Sequence, residues 1–419
     1  MRKSIAILLF ILLGFSKSYI LFAQELTEEK SGEGWLYSND VTFPFQKVTG
    51  YVSAEGWVFL NNASFAGQKR NNISLAAQTE FYYEFKNGSN YTFTPFVRLD
   101  WADSRRTHFD IRELNFLWVK DKWELTLGID KVFWGVTEFV HLIDIINQTD
   151  LVESIDFEEK LGQPMVRLSI PRSWGVFDLF VLPYFRERTF PGTGGRLRFP
   201  VLIDTEKALY ESTAKNHHVD FAIRYSQSIG NWDIGVSHFN GTSREPTLLL
   251  DTNENQELSL IPYYELINQT GLDVQLIAGD WLFKLETFYR TGQQDNFYAA
   301  VAGFEYSFYG FSGSNMDLGI IGEYAIDKRA KNLPTLYDND IFLGLRLGLN
   351  DLAGTEIVLG GAIDVDDQSS VLIIDASRRI GSNWKTTLTG RGFFNFKEND
   401  PFYYLRNDNF LRFEVAYFF

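Results

Sequence analysis

The 419-residue chain contains no cysteine. That absence removes disulfide staples, thiolate metal sites and cysteine nucleophiles together, so stability must come from elsewhere. Histidine is scarce too, with only His108, His141, His217, His218 and His238. There is no HExxH, no GxSxG and no phosphate-binding glycine loop. Positive charge is in deficit: Lys and Arg number 39 against 54 Asp and Glu, a formal net charge of −15. Nucleic-acid binders carry basic faces, so nucleic acid is not an expected partner. Beyond the first two dozen residues no run of about 18 apolar residues occurs, and no transmembrane helix is expected there.

What is present begins with an export signal. Arg2 and Lys3 form a basic start, and Ile5 to Phe15 is apolar apart from one glycine. That run suits a signal peptide and is too short to span a bilayer. Ala23 offers a small residue for cleavage, so residues 1–23 are expected to be removed. Arg2, Lys3 and Lys17 leave with them and no acid does, taking the net charge from −15 to −18. Residues 24–46 are polar, too short for a plug domain, and expected to be a periplasmic lead-in to a single domain over 47–419.

Aromatic residues make up 16% of the chain, yet its mean hydropathy is slightly negative. A transmembrane β-barrel accommodates both facts. One face of each strand meets lipid, the other meets a polar lumen, and aromatics gather where the wall crosses the two interfaces. Period-two alternation runs from residue 47 to the end. Ile73, Leu75, Ala77, Thr79, Phe81, Tyr83 and Phe85 alternate with Ser74, Ala76, Gln78, Glu80, Tyr82 and Glu84. Strands are expected near 47–61, 73–86, 91–103, 108–120, 123–131, 164–170, 175–183, 217–228, 231–240, 269–277, 280–291, 296–309, 314–327, 338–349, 354–366, 368–379, 383–395 and 408–419. The fold class is therefore all-β, a closed antiparallel barrel of eighteen strands, with sixteen as the alternative. The segment 258–266 is the ambiguous place, either a strand of its own or an extension of the next. Connectors after even strands are short turns and most of those after odd strands are long, the asymmetry expected of periplasmic turns and extracellular loops.

The polar face carries charges in mid-strand. Arg98, Asp100, Arg224, Lys284, Glu286, Arg290, Glu305, Glu323, Arg346 and Glu414 are the expected lumen residues. Two long connectors follow the fifth and seventh strands. The first holds Glu138, His141, Asp144, Asp150 and Glu153, and the second holds Arg186, Arg188, Arg196 and Arg198 among glycines. Folded inward, rows of opposite charge would line a constriction and set ion preference. On the surface they would instead bind lipopolysaccharide, cations or each other. Leu142 to Asn147 and Ser154 to Gly162 are candidate short helices.

The last strand places Leu411, Phe413, Val415, Tyr417 and Phe419 on one face and ends on an aromatic. It resembles the targeting strand of bacterial outer-membrane proteins, which implies insertion by the barrel-assembly machinery through edge pairing. Val132 to Glu138, His141 to Glu153, Lys160 to Met165 and Leu182 to Arg198 resemble a porin-like family of Gram-negative outer-membrane proteins with no assigned substrate. The resemblance implies an outer-membrane location and adds nothing about cargo.

The expected function is diffusion of small hydrophilic solutes across the outer membrane. The expected partners are outer-membrane lipid, lipopolysaccharide, the assembly machinery and small solutes; the sequence assigns no oligomeric state. Export of a polymer or hydrophobic substrate is one alternative. A rim hydrolase built on His218 and Asp220 is another, although no catalytic constellation is convincing and no enzyme is expected. No cofactor or metal is expected: Asp251, Asn253 and Asn255 make half a calcium loop, but Gln256 and Pro262 stand where glycine and glutamate are needed.

Overall fold

The computed structural model describes residues 45–252, 258–330, 335–398, 400 and 402–419. The expected signal peptide and nearly all of the lead-in lie outside the described residues. Twenty-one strands follow in chain order: β1 (Lys47–Phe59), β2 (Asn71–Glu84), β3 (Asn90–Asp100), β4 (His108–Lys120), β5 (Trp123–Asp130), β6 (Gln163–Arg172), β7 (Gly175–Leu182), β8 (Leu209–Tyr210), β9 (Asp220–Ile229), β10 (Trp232–Thr242), β11 (Thr247–Thr252), β12 (Leu258–Tyr264), β13 (Leu266–Ala278), β14 (Trp281–Thr291), β15 (Phe297–Phe308), β16 (Asp317–Asp327), β17 (Asn339–Gly348), β18 (Glu356–Asp364), β19 (Ser370–Ile380), β20 (Trp384–Phe394) and β21 (Phe410–Phe418).

Eighteen of these form one sheet in which each strand pairs antiparallel with its neighbours in the chain, passing over β8, β11 and β12. The sheet closes because β21 returns to β1, in register from Tyr51 opposite Phe418 to Phe59 opposite Phe410. Closure gives every wall strand a partner on both sides and leaves no edge of unpaired backbone. Each of the eighteen expected strands coincides with one wall strand, so the alternative of sixteen is excluded.

Alternation decides which way each side chain points. In β17, Ile341, Leu343 and Leu345 are exposed on the outside, while Asp340, Phe342 and Gly344 are buried inside. In β14, Trp281, Phe283 and Tyr289 face out and Glu286, Phe288 and Arg290 face in. The outer wall is thus a largely apolar surface, interrupted by His238, Asn240, Asn268 and Thr270 on β10 and β13, and a lipid phase would cover the apolar part. Six of the ten tryptophans (Trp118, Trp123, Trp174, Trp232, Trp281 and Trp384) sit at the end where the short turns lie. An aromatic girdle at one interface accounts for that clustering.

Two sequence expectations need correction, and one ambiguity is resolved. In the segment 258–266, Leu258–Tyr264 is a strand of its own, β12, which pairs with β11 and, in parallel, with β8 to make a small sheet within the long-loop end, while Leu266 opens the wall strand β13. Sequence alternation does not distinguish a loop strand from a wall strand, because both bury one face. The two candidate helices do not form; residues 142–147 and 154–162 are turns, bends and extended chain. Their backbone groups bond instead to side chains, Ile143 N to Glu286 and Lys160 O to Arg112 of the wall, Ile146 O, Leu161 O and Gly162 O to loop residues, which removes the need for helical pairing. Finally, the interior is not uniformly polar. Met165, Phe180, Leu182, Ala222, Phe239 and Ile267 point inward and pack on Trp134, Ile143, Ile145 and Ile146 of the loop 131–162.

Because Val415 pairs with Ala54 on one side and Thr386 on the other, Val415→Pro deletes a ladder hydrogen bond at the seam. We expect the heat-resistant compact band to disappear on unheated denaturing gels, while Leu352→Pro, in an exposed turn, leaves that band intact.

Candidate functional site

The site is the lumen and the loop that fills it. Loop 131–162 leaves β5, enters the barrel and returns to β6. Its ends are fixed by Asn147, whose side-chain oxygen accepts from Val132 N at 2.8 Å and whose Nδ2 donates to Asp130 O and Leu161 O, each at 2.9 Å. One side-chain amide thereby ties both arms of the loop together.

Two wall carboxylates then anchor the loop backbone. Glu286 Oε1 accepts from Val136 N (2.6 Å), Thr137 N (3.0 Å) and Thr137 Oγ1 (2.7 Å), and Oε2 accepts from Ile143 N at 3.3 Å. Glu323 accepts from Glu138 N at 2.7 Å and Phe139 N at 3.1 Å. An irregular segment has no ladder of its own, and these carboxylates supply the acceptors it lacks. Phe139 lies stacked on Phe342, with ring centroids 5.1 Å apart. The floor beneath it is Gly344, where a Cβ would come within 2.9 Å of the ring. A side chain there would push Phe139 off the wall.

Side-chain charges of the loop are also matched to the wall. Arg346 holds Glu138 at 2.6 Å and Glu305 at 3.2 Å, with Lys284 3.5 Å from Glu138. Arg98 grips Glu153 at 2.6 Å, and both are buried. Asp150 pairs with Arg112 at 2.9 Å, and Asp144 with Lys160 of its own loop at 3.1 Å. Burial works against ionised Glu153, but Arg98, Arg106 and His108 more than offset it and hold its pKa below the ordinary value.

His141 lies 3.1 Å from Glu158 and 3.9 Å from Glu286. Burial disfavours its cation, yet the two carboxylates prevail and push its pKa up to about 10.

The second long loop, 183–219, covers the first. Thr189 donates to Asp150 at 2.7 Å and Gln148 donates to Arg186 O at 3.3 Å. Arg186 pairs with Asp110 of β4 at 2.7 Å. Arg196 pairs with Asp408 at 2.6 Å, fully inside the structure. Arg198 donates to the carbonyls of Phe199, Pro200 and Ala66. At Gly194 the chain passes so close to Ala102 that a Cβ would lie 1.8 Å from its carbonyl oxygen. The acidic and basic loops therefore meet through Thr189, Gln148 and Arg188, while Glu138, Asp150, Glu153 and Arg186 are paired with the wall.

Among the remaining expected lumen residues, Arg224 pairs with Asp273 at 2.8 Å, Arg290 with Glu245 at 2.8 Å, and Asp100 with Arg106 at 2.9 Å. Glu414 stands opposite Glu55 across the seam. Glu55, Arg106 and Arg112 are inward charges that sequence reasoning passed over. Glu55 receives Arg106 at 2.7 Å and Ser74 at 3.2 Å, and it also takes the Trp57 indole N–H. The signal that finds Glu55 is the same alternation, since it shares a face with Ser53 and Trp57.

His218 Nδ1 lies 2.8 Å from Asp220. Asp220 is already committed to Arg244 at 2.8 Å and to Thr242 N at 2.9 Å. No serine or threonine hydroxyl bonds to His218 among the described residues. Between the inward loops and the wall a cavity of about 460 Å³ remains, lined by Phe139, Phe157, Phe190, Arg188, Arg290 and Tyr337 among others. That size falls in the range of small-molecule pockets.

Two outcomes follow from these anchors. Replacing Glu286 by leucine strips the acceptor from three loop amides, each costing ~1–3 kcal/mol when left unpaired. Hydrogen exchange at Val136, Thr137 and Ile143 should accelerate roughly 100-fold or more, with a smaller change for Glu286→Gln, which keeps one oxygen. For His141 the folded pKa lies above the ordinary 6.5, so its stabilisation is full below 6.5 and is lost as pH rises through about 10. Proteolysis of loop 131–162 between pH 8 and 11 should increase in the wild type more than in His141→Gln, for which that component is absent at every pH.

No family model and no curated protein matches the chain. Solved structures do match. A BenF-like porin from Pseudomonas fluorescens Pf-5 aligns with a TM-score of 0.51 at 8% identity, covering 90% of this chain and 98% of that one. A triple mutant of the Rhodopseudomonas blastica porin aligns with a TM-score of 0.42 at 11% identity, covering 89% of this chain and 99% of that one. At such identities the likeness is one of fold: this chain is a closed eighteen-stranded β-barrel with the architecture of bacterial porins.

Proposed function

We propose that the protein is a substrate-selective channel of the bacterial outer membrane, passing small hydrophilic solutes through a lumen narrowed by its own loops. The observation that carries this is the inward loop 131–162, held by Glu286, Glu323, Arg98 and Arg346 rather than lying on the surface. Eighteen strands enclose more space than wall side chains fill. A loop fixed in that space sets the width and charge of the path.

The apolar outer wall and the tryptophan belt support a membrane setting. The short turns would then face the periplasm and the long loops the exterior, where acidic side chains meet cations held by lipopolysaccharide. Leu411 and Phe413 point outward on the seam strand, and before β1 pairs with it that edge is open to the assembly machinery. In this scheme the loop bearing Glu138, His141, Asp144, Asp150 and Glu153 forms one side of the constriction. The loop bearing Arg186, Arg188, Arg196 and Arg198 forms the other, the buried charges among them holding the two loops in place.

Single-channel recording in planar bilayers tests the scheme. Glu286→Leu combined with Glu323→Leu should raise conductance roughly two-fold or more, because the loop no longer occupies the lumen. Arg186→Ala with Arg188→Ala should shift ion preference toward cations. Absence of channel events in folded protein, or a conductance indifferent to all four substitutions, would remove the proposal.

A further inference from the structure

The cavity beneath the long loops is densely charged. Its lining carries Lys160 and six arginines (Arg188, Arg198, Arg244, Arg290, Arg329 and Arg391) against the six carboxylates of Glu138, Asp144, Asp156, Glu158, Glu245 and Asp375. In a chain with a net charge of −15, this cavity thus gathers cations and carboxylates in nearly equal number.

Most of these cations are matched by particular carboxylates. Glu245 is shared by Arg290 at 2.8 Å and Arg329 at 3.2 Å, and Arg329 also takes Asp327 at 2.6 Å. Arg244 is matched by Asp220 at 2.8 Å, and Arg391 by Asp375 at 3.0 Å. Arg188 has no ion pair among the described residues. Its side chain makes a single hydrogen bond there, from Nε to Gln148 Oε1 at 3.2 Å, with its guanidinium carbon 6.0 Å from the Phe157 ring centroid. The two terminal nitrogens are the groups of the fork best suited to a carboxylate. Burial lowers the pKa of Arg188 from its ordinary value; the Glu245 carboxylate opposes that fall, and Arg329 and Arg290 add to it. An arriving anion would offset the cost of holding that charge away from water.

The rest of the lining is greasy. Phe157, Phe190, Phe199, Phe288, Leu202 and Leu336 surround the same space. Inorganic anions gain nothing from such walls, whereas an apolar body gains by leaving water.

We propose that this cavity is a binding site for amphipathic organic anions, monocarboxylates with an aromatic or aliphatic body, and that Arg188 receives the carboxylate while the phenylalanines hold the body. The assignment deepens the channel function by naming the solute class, yet binding to the cavity does not itself require conduction.

The test uses the full mature chain folded in detergent micelles, with isothermal titration of 4-phenylbutyrate, its neutral amide 4-phenylbutanamide, and acetate. Phenylbutyrate should bind at least about ten-fold more tightly than either control, since each lacks one half of the recognition. Arg188→Gln should lower phenylbutyrate affinity to that of the amide and leave amide binding where it was, and Arg188→Lys should fall between. Heat-modifiable mobility verifies that each variant is folded; if one is not, the three ligands on the wild type decide. Equal binding of acid and amide, equal binding of acetate and phenylbutyrate, or an unaffected folded Arg188→Gln would overturn the assignment. Conductance measured in parallel separates the two claims. Ligand binding without channel events keeps the site and removes the channel, and channel events without binding do the reverse.

Discussion

Everything in this molecule depends on the closed backbone ladder. A peptide group inside a hydrocarbon layer has no water to bond, and each unmet group costs several kilocalories. The return of β21 to β1 leaves no wall strand with a free edge. Once the wall is closed, its length and tilt define an interior whose contents the chain must then settle. The absence of cysteine is consistent with that arrangement, since the ladder supplies the cross-links that disulfides provide in many other proteins.

The interior is settled by charge. Glu286 and Glu323 are buried carboxylates, and their role is legible from what they accept: five backbone N–H groups of a segment without regular structure. A buried carboxylate is costly alone and favourable when several donors surround it. The same holds for Arg98 with Glu153 and Arg112 with Asp150. Breaking one member of such a pair costs more than never having had it. The loop is consequently held by contacts that cannot be exchanged one at a time, and this favours a single docked geometry over a mobile flap.

Apolar packing completes what the charges begin. Ile143 and Ile146 are fully buried against inward wall residues, and Phe139 stacks on Phe342 over Gly344. The lumen thus combines a dry side, where loop meets wall, with a partly charged cavity that Arg188 faces. Filling of this kind explains why mid-strand arginines and glutamates can be buried in a barrel wide enough to hold water.

Alternation in the sequence was enough to place eighteen wall strands and to sort their residues into outward and inward sets, because a strand has a strict period of two and the wall has only two faces. It named Glu286, Glu323, Arg98 and Arg346 as inward for the same reason. It could not say what those groups touch. Whether Glu286 meets water or the amides of Val136 and Thr137 depends on residues 149 or more positions away, brought together only when the barrel closes. The small sheet of β8, β11 and β12 escaped for a related cause, since its pairing is between loops and its alternation matches that of the wall. Sequence by itself determined the wall and the direction of each side chain, both consequences of local periodicity. Tertiary structure alone decided that the loop enters the lumen and that Arg188 has no ion pair among the described residues, because both are matters of which distant charges meet.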